Sequence, residues 1–296
     1  MTALLNAGHE VKAVVTRKDA RGPRGGLQPT KVKQVALERG LFVSDNVDDL
    51  SAFAGEVDLG VVVAFGRIIK ADLLEKIPMV NMHFSLLPRW RGAAPVERAM
   101  LSGDKKTGVS LMAVEVGLDT GGVFAVREVV IDDTVRVTEL RLALTQLGIE
   151  LLLDKLGHPA DISKSGDVLH GFEAYFQDPV PQSGEVTYAA KITPEDLKID
   201  WSQPSEMALR RIRVGKAWTA FRGVRLIIHD AVSAEQFPDT ATAIGCMTND
   251  GLVRTGDGCI KLLRVQSAGK GAMDFSSWVK GVHLGEGERL GDNDNN

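Results

Sequence analysis

The chain has 296 residues, of which 44% are hydrophobic and 25% charged, and its net charge is −4. Those proportions suit one large or two smaller globular domains and exclude a disordered chain or one built around wholesale nucleic-acid binding. No apolar run approaches a membrane span, no secretory-leader pattern opens the chain, and the only cysteines, Cys246 and Cys259, are too far apart for a redox or zinc pair. The expectation is a cytoplasmic, monomeric protein with reduced thiols, no bound metal and no membrane contact.

The first two-thirds alternates strand-like and helix-like segments. Residues 9–16 (HEVKAVVT) read as a strand, and Thr30 can cap a helix that stops at Gly40. Residues 58–65 (DLGVVVAF) are almost continuously apolar, as in a strand buried on both faces. A short strand at 80–84 leads to a helix starting at Pro95 and ending by Gly103. Strands at 108–114 and 123–130 precede a long helix at 138–156. That order predicts a Rossmann-like α/β domain over residues 1–157, with a mostly parallel sheet.

Residues 158–187 are rich in Gly, Pro, Ser and Asp and read as a linker. Beyond a helix at 205–213, short strands separated by turn residues are predicted at 218–222, 224–229, 243–248, 252–255 and 259–265. They suggest a small OB-like β-barrel over 188–284. Residues 285–296 are polar and read as a disordered tail. Two basic stretches stand out on this acidic chain. Residues 17–33 hold six basic side chains against Asp19, and residues 191–225 hold eight against four acids. Such patches suit an anionic partner touched at defined places, although many charge runs are only solvated surface.

The chemistry concentrates between Asn81 and Gly122. Asn81 and His83 are two apart on a strand and share a face. Asp119 lies in the turn Gly117-Leu118-Asp119-Thr120-Gly121, and meets them if its strand is their neighbour. An amide, an imidazole and a carboxylate can run acyl transfer to an amine. Asn81 and a protonated His83 stabilise the oxyanion, while Asp119 relays the proton. Each residue alone has a plainer reading, a satisfied core histidine or an Asx-turn aspartate. Ser85 has no nucleophile elbow around it, and His83 with Glu97 lacks a third metal ligand.

The same stretch resembles the active-site signature of the folate-dependent formyltransferases: Asn-x-His, then Ser-Leu-Leu-Pro, then Gly-Leu-Asp-Thr-Gly. The likeness continues through SLLPRWRGAAPVERAMLSGD, VVVAFGRII, KIDWSQP at 198–204 and GLVRTGDGCIKLLRVQSAGKGAM at 251–273. It implies that Asn81, His83 and Asp119 are catalytic. It further implies a 10-formyltetrahydrofolate donor held between Phe65, Gly66 and Arg67 and the run Ser85, Leu86, Leu87 and Pro88. The implied acceptor is the α-amino group of methionine on initiator tRNA. Arg21, Arg24 and Lys31 would approach its acceptor stem, with Arg210, Arg211 and Lys270 on the second domain. The catalytic trio alone leaves open a small-amine acceptor, such as a glycinamide nucleotide or an amino sugar, or a non-catalytic remnant that binds RNA.

Two departures from the family pattern bear on the structure. The family's first central strand and its Gly-Thr-Pro loop have no counterpart before Thr2, so a gap in the sheet is expected beside the 9–16 strand. Ser267 also stands where the family usually has proline.

Overall fold

The structure, a computed structural model, describes residues 1–21, 25–159, 171–237, 243–285 and 287–291. Along the chain come α1 (Thr2–Asn6), β1 (Ala13–Val15), β2 (Ala20–Arg21), β3 (Leu27–Gln28), α2 (Lys31–Glu38), β4 (Phe42–Ser44), β5 (Gly60–Val63), α3 (Ala71–Leu74) and β6 (Met79–His83). They continue with β7 (Arg91–Gly92), α4 (Pro95–Ser102), β8 (Lys106–Ala113), β9 (Val123–Val130), α5 (Val137–Leu156) and β10 (Tyr188–Ala189). The last are α6 (Ser205–Val214), β11 (Trp218–Phe221), β12 (Val224–Ala234), β13 (Leu252–Arg254), β14 (Cys259–Ser267), β15 (Met273–Asp274) and α7 (Phe275–Val282). Two compact units result. One comprises Met1–Pro95, Lys106–Val129 and Leu142–Ala190, the other Val96–Lys105, Val130–Arg141 and Lys191–Asn296.

In the first unit the predicted α/β pattern is present, and local chemistry explains its boundaries. Thr30 caps α2, its Oγ1 accepting the Lys33 amide at 3.1 Å. The sheet lies in two pieces. β1 pairs in parallel with β4, and a second sheet has the order β5-β6-β8-β9. No strand joins the pieces among the described residues, which is the gap expected beside the first strand. Its cost falls on β5. The 58–65 run, expected to be buried on both faces, forms only a four-residue strand with no fully buried side chain. Val63 is 44% exposed. One edge of β5 is paired, with β6, and an apolar strand open on the other edge leaves side chains to solvent.

β6 is much better buried, every residue but Asn81 being buried. Val62 lies opposite Asn81 in the parallel pairing with β5. β8 then runs antiparallel, with His83 opposite Ser110 and Val80 opposite Ala113. From α5, Gly148 approaches Met82 and Val109 closely; a Cβ there would sit 3.3 Å from the Met82 sulfur.

The segment read as a linker is corrected by the structure over its described part. Phe172 and Phe176 pack on Phe124, with ring centroids 5.1 and 4.6 Å away. Val180 exchanges two backbone hydrogen bonds with Val123, of 2.8 and 3.0 Å. Scattered apolar residues between glycines and prolines are enough to fasten an irregular segment to a sheet edge; residues 160–170 lie outside the described residues.

In the second unit, β11-β12-β14-β13 form a curled antiparallel sheet, and β15 adds to β14. Its core includes Trp201, Ile212, Phe221, Leu226, Ile228, Ile260, Leu262, Phe275 and Trp278, each such side chain contributing ~1.5–3 kcal/mol when fully buried. Both buried indoles are satisfied. Trp201 donates to Thr219 Oγ1 and Trp278 to Ser267 Oγ, each at 2.9 Å. Serine at 267 therefore supplies an acceptor that proline lacks.

The curled sheet is extended without a further named strand among the described residues. Residues 243–248, predicted as a strand, form only single bridges, Cys246 to Arg289 and Met247 to Val253. Arg254 N–H donates to the Cys246 carbonyl (3.0 Å), Leu290 N–H to the Gly245 carbonyl (2.9 Å) and Gly291 N–H to the Ala220 carbonyl (2.9 Å). The expected disordered tail is thus ordered over 287–291: Leu290 is 3% exposed, and Glu288 pairs with Arg222. A single buried leucine and one ion pair outweigh the polar composition; residues 292–296 lie outside the described residues.

Candidate active site

Asn81 and His83 sit on one face at the carboxyl end of β6. The Asn81 amide is partly exposed and has no hydrogen-bond partner among the described residues, so both its N–H groups are free to donate. His83 is 5% exposed, and its Nε2 lies 2.8 Å from the carbonyl oxygen of Trp90. A carbonyl can only accept, so Nε2 carries a proton whatever the charge of the ring. Nδ1 faces Asp119 Oδ2 at 3.6 Å. That separation is longer than a hydrogen bond.

Asp119 reaches His83 by an unexpected path. Because β8 is antiparallel to β6, its carboxyl end lies beside Val80, away from His83. The loop after β8 must fold back over the sheet face to bring Asp119 to the imidazole. Close packing fixes this return. A Cβ on Gly121 would lie 2.0 Å from the Ala113 carbonyl oxygen, so only glycine fits. Asp119 adopts a left-handed backbone, φ +50°, and its Oδ2 accepts the Gly92 N–H at 2.7 Å. The aspartate makes this long-range bond where an Asx turn was the plainer sequence reading.

The loop between β6 and α4 is equally constrained. Ser85 is fully buried, and its hydroxyl donates to the Arg89 carbonyl at 2.5 Å. It is committed to the backbone, which answers the nucleophile reading. Ser110 Oγ donates to the Ser85 carbonyl (2.7 Å) and accepts the Leu87 N–H (3.2 Å). Leu86, Leu87 and Pro88 remain partly exposed along this loop. Phe65, Gly66 and Arg67 follow β5, whose carboxyl end is beside that of β6 in the parallel pairing. Phe65 packs against the cluster formed by Ile69, Leu73, Ile77 and Met79. Gly66 and Arg67 are exposed, and Arg67 donates to the Asp45 carbonyl at 2.7 Å.

Sequence reasoning missed the residues that hold this loop from outside. Thr187 Oγ1 accepts the Trp90 N–H at 2.8 Å, and the Arg91 N–H donates to the Thr187 carbonyl at 2.9 Å. Gln182 bonds both Arg91 and the Asp119 loop. The available signal was weak: two lone polar side chains in a Pro- and Gly-rich stretch. Glu97, weighed as a metal ligand, is paired with Arg141.

The expected tRNA-contacting residues fall in both units. Arg21 on β2, Lys31 at the start of α2 and Lys270 are exposed and have no ion-pair partner among the described residues. Arg210 pairs with Glu206. Arg211 donates to the Met207 carbonyl, and burial lowers its pKa. Arg24 lies outside the described residues.

The chain belongs to the formyl transferase family. The formyl transferase profile matches residues 1–156, and the profile of its C-terminal domain matches residues 191–283. Its relatives are methionyl-tRNA formyltransferases. The protein of Corynebacterium efficiens is 36% identical over 304 residues, covering 95% of this chain and 92% of that one. The protein of Streptomyces coelicolor is 37% identical over 315 residues, covering 99% and 95%. Among solved structures, an N-formyltransferase of Helicobacter canadensis in complex with folinic acid and dTDP-3-aminofucose shares the fold, with a TM-score of 0.61. It is 17% identical and covers 90% of this chain and 93% of that one. No described helix is long and apolar enough to cross a membrane.

Proposed function

We propose that this enzyme transfers the formyl group of 10-formyltetrahydrofolate to the α-amino group of methionyl-initiator tRNA, and that Asn81, His83 and Asp119 carry the reaction. The observation behind the residue roles is the placement of a free amide on the same strand face as an imidazole whose Nε2 is held by the Trp90 carbonyl and whose Nδ1 lies 3.6 Å from a carboxylate. The acceptor nitrogen attacks the formyl carbon of the donor, and the carbonyl oxygen takes up negative charge. Asn81 N–H and protonated His83 stabilise that oxyanion. The amine must lose a proton, and N10 of the folate must gain one as the C–N bond breaks. Asp119, directly or through water, carries it. An amine is already nucleophilic, so no covalent intermediate on the enzyme is required.

The exposed face of the Phe65–Gly66–Arg67 loop and the Ser85–Pro88 run would receive the folate, being brought to one sheet edge by β5 and β6. Arg21, Arg24, Lys31, Arg210, Arg211 and Lys270 would meet the tRNA backbone. Such phosphate contacts give salt-dependent affinity more than sequence choice. The methionyl-tRNA acceptor follows from relatives that align over nearly the whole chain, second domain included.

A panel of acceptors tests the reading. With labelled 10-formyltetrahydrofolate, methionyl-tRNA should be formylated at least ~10²-fold faster than a glycinamide nucleotide or an amino-sugar nucleotide. Preference for either small amine would replace the assignment.

A further inference from the structure

Gln182, in the segment expected to be a linker, uses both ends of its amide. Its Nε2 donates to the carbonyl oxygens of Asp119 and Gly121, both at 2.8 Å. Its Oε1 accepts from Arg91 Nε at 3.1 Å and Nη2 at 2.7 Å. Only this orientation works. Turned over, the amide oxygen would face two carbonyls and its NH₂ a guanidinium.

These bonds bracket the catalytic carboxylate. Asp119 holds a left-handed backbone that a non-glycine residue rarely adopts unless its surroundings impose it. Gln182 grips the carbonyl of Asp119 itself. Through Arg91 it also grips the residue preceding Gly92, whose N–H binds the Asp119 carboxylate. One side chain therefore ties together the loop carrying the carboxylate and the strand that orients it. The segment carrying Gln182 is itself anchored at Val180 and Thr187.

We propose that Gln182 is a positioning residue for formyl transfer: it fixes the carboxylate of Asp119 relative to Nδ1 of His83 without touching the reacting atoms. The inference rests on Asp119 acting in the reaction. Gln182→Met keeps the length of the side chain and removes all four bonds. Gln182→Glu keeps an oxygen that accepts from Arg91, now as an ion pair, and loses donation to the two carbonyls. Both should lower kcat by roughly 10- to 100-fold, the scale of misplacing a catalytic group by about an ångström. KM for the folate should stay within about twofold.

The decisive readout is a double-mutant cycle. In an Asp119→Asn background, Gln182→Met should change kcat by less than about twofold, because the group it positions is gone. If Gln182→Met also lowers the melting temperature, Gln182→Glu, which keeps the Arg91 tie, carries the same comparison. A kcat near wild type in both variants, or an equal loss with and without Asp119, overturns the proposal while leaving the catalytic reading standing. Full activity in Asp119→Asn alone would overturn both.

Discussion

Asp119→Asn is the substitution whose consequence follows most directly from the geometry. Asparagine retains an oxygen for the Gly92 N–H, so the loop should stay where it is. What disappears is the negative charge 3.6 Å from Nδ1 of His83. At an effective dielectric of ~20, a unit charge pair at that distance is worth about 4–5 kcal/mol. If the amide dipole recovers half of this, about 2–3 kcal/mol of transition-state stabilisation is lost, a rate factor on the order of 10². Loss of the proton relay acts in the same direction. The assay is single-turnover transfer at saturating folate, with thermal melting as the folding control. The expected result is an unchanged melt, an unchanged folate affinity and a rate down by roughly 10²-fold. A rate within threefold of wild type would show that the carboxylate is a bystander.

Three further outcomes are expected. Arg24→Ala should raise KM for the tRNA and flatten its salt dependence while leaving folate binding alone, because phosphate contacts release counterions; lost folate affinity would mean the basic loop is misplaced. Leu226→Ala, at a fully buried position of the second unit's core, should unfold at lower urea, since such truncations cost ~2–5 kcal/mol. An unchanged midpoint would show that the position is not tightly packed. In the second unit, hydrogen bonds from Arg98 and Thr193 hold the Asp196 carboxyl down at about 2. The stabilisation from a depressed carboxylate is present above its ordinary value and is lost as pH falls toward the folded one. Asp196→Asn should therefore melt below wild type at neutral pH, and the difference should close by about pH 2; a constant difference across that range would assign the effect to packing.

The sequence made the proposed site legible because its signals are local. Asn81 and His83 share a strand face by period-2 alternation, and Gly117–Gly121 announces a tight turn around Asp119. Pattern also located α2, α4 and α5 to within a residue or two, because a capping threonine, an initial proline and a terminal glycine act within a single turn. Non-local information was hidden. Nothing in residues 106–122 states that β8 runs antiparallel to β6, so the fold-back that delivers Asp119 could not be read. Gln182 and Thr187 are 63 and 97 residues from the partners they hold, Asp119 and Trp90. Residues 287–291 look polar, and only their pairing with 245–247 and Ala220 ties them to the second unit's sheet. The 58–65 run misled in the opposite sense. Hydrophobicity marked a buried strand, but burial depends on a neighbour on each side, and among the described residues β5 pairs with one strand.

Formyl transfer from labelled 10-formyltetrahydrofolate to methionyl-tRNA, followed over a single turnover with a chelator present, tests the central claim most directly. The wild-type chain should place the label on the methionine α-amino group, and His83→Ala should do so roughly 10²-fold more slowly while melting normally. Transfer by His83→Ala at the wild-type rate, or wild-type activity abolished by the chelator, would contradict a metal-free mechanism centred on Asn81, His83 and Asp119.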